Sequence, residues 1–496
     1  MNKKPNPFLS KTKYMDGLKC PKLLWFEYNR KEDLPPVDAS VQAIMDQGTV
    51  VGELAQTLFL GGIKLQRDYM PDKQAEKSLE AAKLRKPLFE AGFVYKQAYA
   101  LADILNPVAK NAWDLIEVKS SSGVKEEYYR DIAFQKYVYE GSGLKIRKCY
   151  LMYINNQYVR KGKIDPKKLF ATEDVTRQCD DLIPEIEADI ADMFETIQKN
   201  DEPRVKISPH CNKPYSCLLK DMCWDFLPQK DDIFSLYFGK RKAYELMERG
   251  VLRITDINKN VSLSYKQSIQ VTCHRTQTPH IDKKGIKGFL DILKYPLYFL
   301  DFETINPAIP VYDDTRPFEA IPFQYSLYVV KNKGSKPECH SYIAPGDKGP
   351  REEILKQLKK LLGNSGSVIA YNASFEKTTL RHASEAYSQY QDWVAAIEER
   401  LVDLLAPFRG FLYYHPCQEG SASLKNVLPS MTKSSYDDME IAGGNTASIE
   451  YYRVTFEKDI TEKERQRVYS ALEKYCDLDT KGMVEIVEAL DNIASK

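Results

Sequence analysis

Histidine is scarce in this 496-residue chain, with 6 copies, and neither sign of charge is in excess, 71 Lys+Arg standing against 70 Asp+Glu. The near-cancellation removes any bulk electrostatic footprint for a nucleic acid or a membrane, so a basic surface has to be local. One such stretch is residues 1–30, where Lys3, Lys4, Lys11, Lys13, Lys19, Lys22 and Arg30 face only Asp16 and Glu27. By itself that reads as a solvated tail. No apolar run reaches the ~18–20 residues of a membrane span, so no membrane partner is expected. The opening MNKKPNPFLSKTKYM has no apolar segment of the kind that secretion requires. A cytoplasmic location is the expectation, and it makes the 10 cysteines thiols or metal ligands rather than disulfides. G-x-x-x-x-G-K-[ST] is missing, which excludes a P-loop motor within the chain; any unwinding would need a helicase, or a repair or defence partner, in trans. Tandem repeats and low-complexity tracts are absent as well.

What is present is an ordinary globular composition, 43% hydrophobic and 28% charged, in a chain long enough for two to four domains. Residues 41–60 read as a helix, and 98–105 and 112–121 as two strands joined by a turn around Asn106-Pro107. Residues 125–140 return to helical periodicity. Polar LPQKDD (227–232) reads as a linker, and 228–290 as a helical connector. From 291 onward strands alternate with helices: PLYFLDFET, then a hairpin of FQYSLYVV and CHSYIA, the helix REEILKQLKKLL and the strand SVIAYNASF. The expected architecture is α/β, with domains at 1–227 and 291–496 and the connector between them.

Two groups of residues carry chemistry. In the first, Asp103 lies on one expected strand and Glu117 and Lys119 on the next. Glu117 and Lys119 are two apart and leave the same face. Hard carboxylate oxygens suit Mg²⁺ or Mn²⁺, which would generate hydroxide beside a phosphodiester while the lysine steadies charge. Gln135 and Tyr139 follow one helical turn apart. An E-x-K triplet alone reads most simply as a solvated strand, but the ordered set D103…E117-V-K119…Q135-x-x-x-Y139, with LKCPKLLW before it, resembles the RecB-type branch of the PD-(D/E)XK nucleases over about residues 10–226. The resemblance implies that Asp103 and Glu117 bind metal, that Lys119 is catalytic, and that Gln135 and Tyr139 orient the site or the DNA. Many members carry a metal-binding His in a G-x-x-x-H setting. Here the corresponding stretch is Gly48-x-x-x-Gly52, followed by Glu53, and no His precedes His210.

Cys211, Cys217 and Cys223 are evenly spaced, and Cys20 stands far upstream. Thiolates select zinc or an iron–sulfur cluster, yet the spacing alone leaves unligated thiols equally open. The resemblance to AddB-type and CRISPR-associated RecB-like nucleases, with one Cys before the nuclease core and three after it, implies a structural 4Fe–4S cluster. His210 keeps Zn²⁺ as the alternative. Cys149, Cys179, Cys273, Cys339, Cys417 and Cys476 read as buried thiols.

In the second group, Asp301 and Glu303 end a buried strand, Asn372 and Glu376 lie where a strand gives way to a helix, and Tyr475 and Asp479 are one helical turn apart. D-x-E, N-x-x-x-E and Y-x-x-x-D in this order resemble the RNase H-like DEDD 3′–5′ exonucleases of the tyrosine subclass. That implies Asp301, Glu303, Glu376 and Asp479 around two metals and Tyr475 orienting the attacking water. Glu376 stands where most members have Asp. Asp403, in LVDLLAPFR, and Lys425, in SLKNVLP, fall in stretches seen between the second and third motifs, with substrate contact and plain helix-surface roles both open. Residues 290–496 also resemble the domain of unknown function 2779, found beside RecB-like halves. The expected activity is a DNA nuclease in repair, recombination or defence. An RNA exonuclease, or a nucleic-acid-binding or assembly protein with degenerate sites, are the alternatives.

Overall fold

The computed structural model describes residues 7–495. They form two compact units: the described residues up to 225 with 307–318, and residues 226–306 with the described residues from 319 onward. The connector 228–290 therefore packs within unit 2, and the short segment 307–318 packs within unit 1. Lys3 and Lys4 of the basic stretch lie outside the described residues, but the remainder of that stretch is folded rather than a tail. Lys11–Lys19 and Pro21–Asn29 are helices, and they bury Tyr14, Leu23, Leu24, Trp25 and Phe26.

Unit 1 is a mixed sheet. Its strands run in the order Ile63–Lys64, Leu88–Tyr95, Ala98–Ala109, Ala112–Lys119, Lys145–Ile154 and Phe170–Asp174, and Leu9–Ser10 pairs with the third of these. The hairpin turn falls at residues 110–111 rather than at Asn106-Pro107, because Ala98–Ala109 stays paired through Pro107, opposite Trp113. A register shift between Pro107 and Ala109 absorbs the proline, which has no N–H for the ladder. Ala112–Lys119 then runs parallel to Lys145–Ile154, with the helix Glu126–Gly141 as the crossover. That strand is covered on both faces, which is why Ala112–Glu117 is continuously buried despite its acids.

Unit 2 holds a five-stranded sheet in the order Glu338–Ile343, Ile321–Val330, Leu297–Ile305, Ser367–Ala370, Leu401–Asp403. The first three are antiparallel, as the expected hairpin requires, and the last two join in parallel. The strand at 367 is shorter than its sequence reading. Asn372 adopts φ +70 and ends it, and the helix Ser374–Glu385 starts at once. Along the central strand the faces alternate: Tyr298, Leu300 and Phe302 pack with Ile354, Leu355 and Leu358, leaving Asp301 and Glu303 on the opposite face. The helix Glu462–Ser495 buries Val468, Leu472, Tyr475, Cys476, Asp479, Met483 and Ile486, a single stripe of helical period.

Among the described residues no helix is long and apolar enough to cross a membrane.

Candidate metal centres

In unit 1, Ile104 pairs with Ile116, so Asp103 comes opposite Glu117 one residue further along. The Asp103 carboxylate accepts the Val118 N–H at 2.8 Å. Glu117 is buried and accepts from three side chains: Lys119 Nζ at 2.8 Å, Gln135 Nε2 at 2.7 Å and Lys11 Nζ at 2.7 Å. Asp131, one turn before Gln135, accepts from Lys119 at 2.5 Å and from Gln135 at 3.1 Å, and pairs with Lys11 at 3.4 Å. Tyr139 is fully buried beneath this cluster and donates to the Ala91 carbonyl at 3.4 Å.

The electrostatics follow from these neighbours. Burial, then the Glu117 charge, push Asp103 up to about 7. Burial works on Glu117 in the same direction, but Lys11 and Lys119 outweigh it and hold the carboxyl well below its usual range. Both lysines stay raised against their own burial, chiefly by Asp131 and Glu117. Lys11 and Asp131 were not among the candidates read from the sequence. Asp131 had a signal, being four residues before Gln135. Lys11 had none, since its partners lie more than a hundred residues away.

The four cysteines share one pocket, which His210 also lines. Cys20, Cys211 and Cys217 are buried and Cys223 is half-buried. Cys217 N–H donates to the Cys211 carbonyl at 2.8 Å, curling the loop around the pocket. No three of these ligand atoms lie within 4.8 Å of one another among the described residues. Of the other cysteines, Cys149, Cys179, Cys273 and Cys476 are buried as expected, but Cys339 and Cys417 are exposed: Cys339 sits near the start of an edge strand whose Tyr342 is the residue packed on the core, and Cys417 lies between the buried Pro416 and Gln418 of a 3₁₀ turn with its own side chain outward.

In unit 2, ligand oxygens of Asp301, Glu303 and Asp479 lie within 4.8 Å of one another. Mg–O distances are about 2.0–2.1 Å, so oxygens on opposite sides of one ion stand ~4 Å apart, and the trio has that scale. Glu376 lies outside the trio, yet its carboxyl is buried with Oε2 unpartnered, and the charge of Asp301 reaches it. Burial, then Asp479, raise Asp301 well above its usual range. Burial, then Asp301, do the same to Glu303. Asp479 is pushed up by burial to about 6, against hydrogen bonds from Tyr436 and Tyr475 that lower it. Cys476 Sγ approaches Asp301 at 3.5 Å. Lys425 bonds none of the acids. It donates to the Ala442 carbonyl, and its ammonium lies 5.8 Å and 5.9 Å from the Tyr436 and Tyr475 ring centres. The Asn372 backbone N–H donates to Asp403 at 2.9 Å and its side chain accepts from Ser374, bonds that shape the turn before Glu376. Tyr436, which the sequence reading passed over, bonds Asp479 from a loop with no motif to mark it.

Comparison with known proteins adds family context. Residues 298–423 match the model for a domain of unknown function, DUF2779. The match includes Asp301, Glu303, Asn372 and Glu376 and ends before Tyr475 and Asp479. The chain is also similar to uncharacterized proteins of Mycoplasma species. The MG366 homolog of Mycoplasma pneumoniae is 30% identical over 230 residues, covering 41% of this chain and 34% of that protein. MG366 of Mycoplasma genitalium is 28% identical over 223 residues, covering 41% of this chain and 33% of that protein. The chain thus spans about a third of the length of these curated relatives.

Proposed function

We propose that this chain is a divalent-metal-dependent nuclease whose working centre is in unit 2, removing nucleotides from the 3′ end of DNA. The observation that carries this reading is a difference in charge compensation between the two clusters. Glu117 and Asp131 in unit 1 already hold two ammonium groups, Lys11 and Lys119. In unit 2, Glu303, Glu376 and Asp479 are buried beside Asp301, and among the described residues none of these four is bonded to a lysine or arginine. Like charges gathered away from water require cations or protons. The mixed sheet with two acids on its central strand, a third on the helix Ser374–Glu385 and a fourth on Glu462–Ser495 agrees with an RNase H-like, DEDD-type fold.

Asp301, Glu303, Asp479 and Glu376 would hold Mg²⁺ or Mn²⁺, which would supply Lewis acidity toward water and shield the charge of the phosphodiester. The chain's own groups prepare that centre. Tyr436 fixes the Asp479 carboxylate in one orientation. Tyr475, a turn before Asp479, is kept protonated by burial and by Asp479, Glu303 and Asp301, so it orients water by hydrogen bonding and does not serve as a base. Lys425 stands at the rim, between its two tyrosines, as a contact for a phosphate. Unit 1, with the order of residues typical of a PD-(D/E)XK domain and its carboxylates already paired, serves to bind nucleic acid. Cys20, Cys211, Cys217 and Cys223 would hold a 4Fe–4S cluster that joins the two ends of unit 1 in sequence.

The test is cleavage of 3′- and 5′-labelled single-stranded DNA in Mg²⁺ and Mn²⁺ by protein purified without oxygen, beside Asp301→Asn and Lys119→Ala. Stepwise shortening from the 3′ end, lost in Asp301→Asn and kept in Lys119→Ala, is the expected result. Loss in Lys119→Ala alone moves the activity to unit 1. A preference for matched RNA changes the substrate. No cleavage of either by folded protein leaves a binding protein.

A further inference from the structure

Unit 2 contains a second group of metal-ligand character that neither motif includes. Ligand atoms of Asp231, His274 and Glu419 lie within 4.8 Å of one another. The three come from distant parts of the chain: Asp231 just before the 3₁₀ turn Ile233–Ser235, His274 on the helix Tyr265–Thr276, and Glu419 just after the 3₁₀ turn Pro416–Gln418. The His274 side chain is wholly buried. Its Nδ1 faces Asp231 Oδ1 and its Nε2 stands 2.8 Å from the Tyr414 hydroxyl. We propose that Asp231, His274 and Glu419 bind a divalent transition-metal ion, with Zn²⁺ the best match, and that the ion ties residues 226–290 to the sheet-bearing part of unit 2.

Three observations support the assignment. First, two carboxylates converge here and, among the described residues, neither is bonded to a lysine or arginine. Glu419 accepts only the Asp231 N–H, at 3.1 Å and 3.4 Å, besides a contact with Ser235. A protonated imidazole would give the two acids a single positive charge, whereas a divalent ion gives them two. Second, Tyr414 offers His274 a partner for the ring nitrogen that would not face the ion. Its hydroxyl oxygen takes the Gly420 N–H at 3.1 Å and can also accept Nε2–H, which turns the Nδ1 lone pair toward the two carboxylates. A ligating histidine characteristically gives its other N–H to such a partner. Third, the donor set is one imidazole nitrogen and two carboxylate oxygens, a combination that suits zinc with a water in the fourth position. Asp231 and Glu419 both have left-handed backbones, at φ +59 and φ +47, a conformation that side-chain-bearing residues adopt at a cost and that concentrates at functional positions.

The experiment is a Zn²⁺ titration of the full chain by calorimetry, in excess Mg²⁺ to saturate the Asp301 centre. Wild type is compared with Glu419→Gln, which keeps the size and removes the charge, and with Asp301→Asn. The proposal expects Glu419→Gln to take up one Zn²⁺ fewer per chain and to lose the rise in melting temperature that Zn²⁺ causes, while Asp301→Asn keeps both. Equal uptake by Glu419→Gln and wild type overturns it. X-ray absorption on wild type difference-loaded with Zn²⁺ provides a readout if the variant fails to fold: an imidazole in an all-nitrogen-and-oxygen shell supports the site, and a sulfur-only shell overturns it. Because cleavage is not measured, the outcome is independent of the nuclease reading.

Discussion

Lys11 Nζ lies 2.7 Å from Glu117 Oε1 and 3.4 Å from Asp131 Oδ1, so an ammonium from the first helix stands among the acids of the unit 1 cluster. Lys119 reaches the same two carboxylates from the other side. Two positive charges therefore pair directly with the carboxylates there, whereas among the described residues no lysine or arginine bonds the acids of the Asp301 centre, and only the more distant charge of Lys425 reaches Glu303 and Asp479. The differing behaviour expected of the two clusters follows from this pairing.

Removing the ammonium tests it directly. Lys11→Met is expected to lose about 3 kcal/mol of stability, the low end for breaking a buried pair because Lys11 keeps some exposure. Urea unfolding measures the loss. A change under about 1 kcal/mol, the level of a surface pair, would show that Lys11 does not sit among these acids.

At the other centre, Asp301→Asn is expected to reduce 3′-end cleavage by a factor on the order of 10³, a few kcal/mol of lost metal and transition-state stabilisation. The same change should raise the melting temperature in EDTA, because it removes one of several like charges held away from water. A variant that is inactive and also less stable in EDTA would argue that the acids are not mutually repelling.

The pH dependence has a definite sign. Asp301, Glu303 and Glu376 have folded-state carboxyls raised well above the usual range, and Asp479 titrates at about 6. Between the unfolded values near 4 and these folded values, the native chain binds more protons than the unfolded chain, so their contribution to stability falls as pH rises. Melting curves in EDTA should show wild type losing stability relative to Asp301→Asn as pH increases from about 4 through 6 and beyond. Mg²⁺ should restore it, and more strongly at the higher pH. A gap between the two proteins that does not vary with pH would contradict the shifts.

Tyr436→Phe should act on the rate through Asp479. Loss of a hydrogen bond to a charged group is worth about 1.5–3 kcal/mol, so a fall in kcat of roughly tenfold or more is expected, with a smaller change in KM. Burial raises Asp479, and the Tyr436 hydrogen bond opposes that rise. Its removal should therefore move the acidic limb of the pH–rate profile upward. A slower enzyme with an unmoved limb would mean that Tyr436 supports the fold and not the carboxylate.

For the cysteine pocket, iron and acid-labile sulfide analysis of anaerobically purified protein should find both, together with sulfide-to-iron charge-transfer absorption. Cys211→Ser should lose that absorption and destabilise unit 1. Stoichiometric zinc without iron would assign the pocket to a mononuclear site instead.

Much of both acid clusters was legible in the sequence because their members lie close together within single elements. Asp301 and Glu303 share a face at spacing two, Glu117 and Lys119 do the same, and Tyr475 with Asp479 spans one helical turn. Such juxtapositions follow from strand and helix periods alone. The hairpin after Leu297–Ile305 and the helix Glu126–Gly141 were readable for the same reason. The turn at Asn106-Pro107 was misread because a local breaker signal lost to pairing with the neighbouring strand, and a bulge accommodated the proline.

The sequence by itself determined which residues could share a face and in what order the chemical groups follow one another, since those depend only on local backbone geometry. Tertiary structure alone decided which charges meet. Lys11 with Glu117, Tyr436 with Asp479, and Asp231 with His274 and Glu419 are joined by chain closure over tens to hundreds of residues. No local period encodes such closure, because the packing of whole elements selects it.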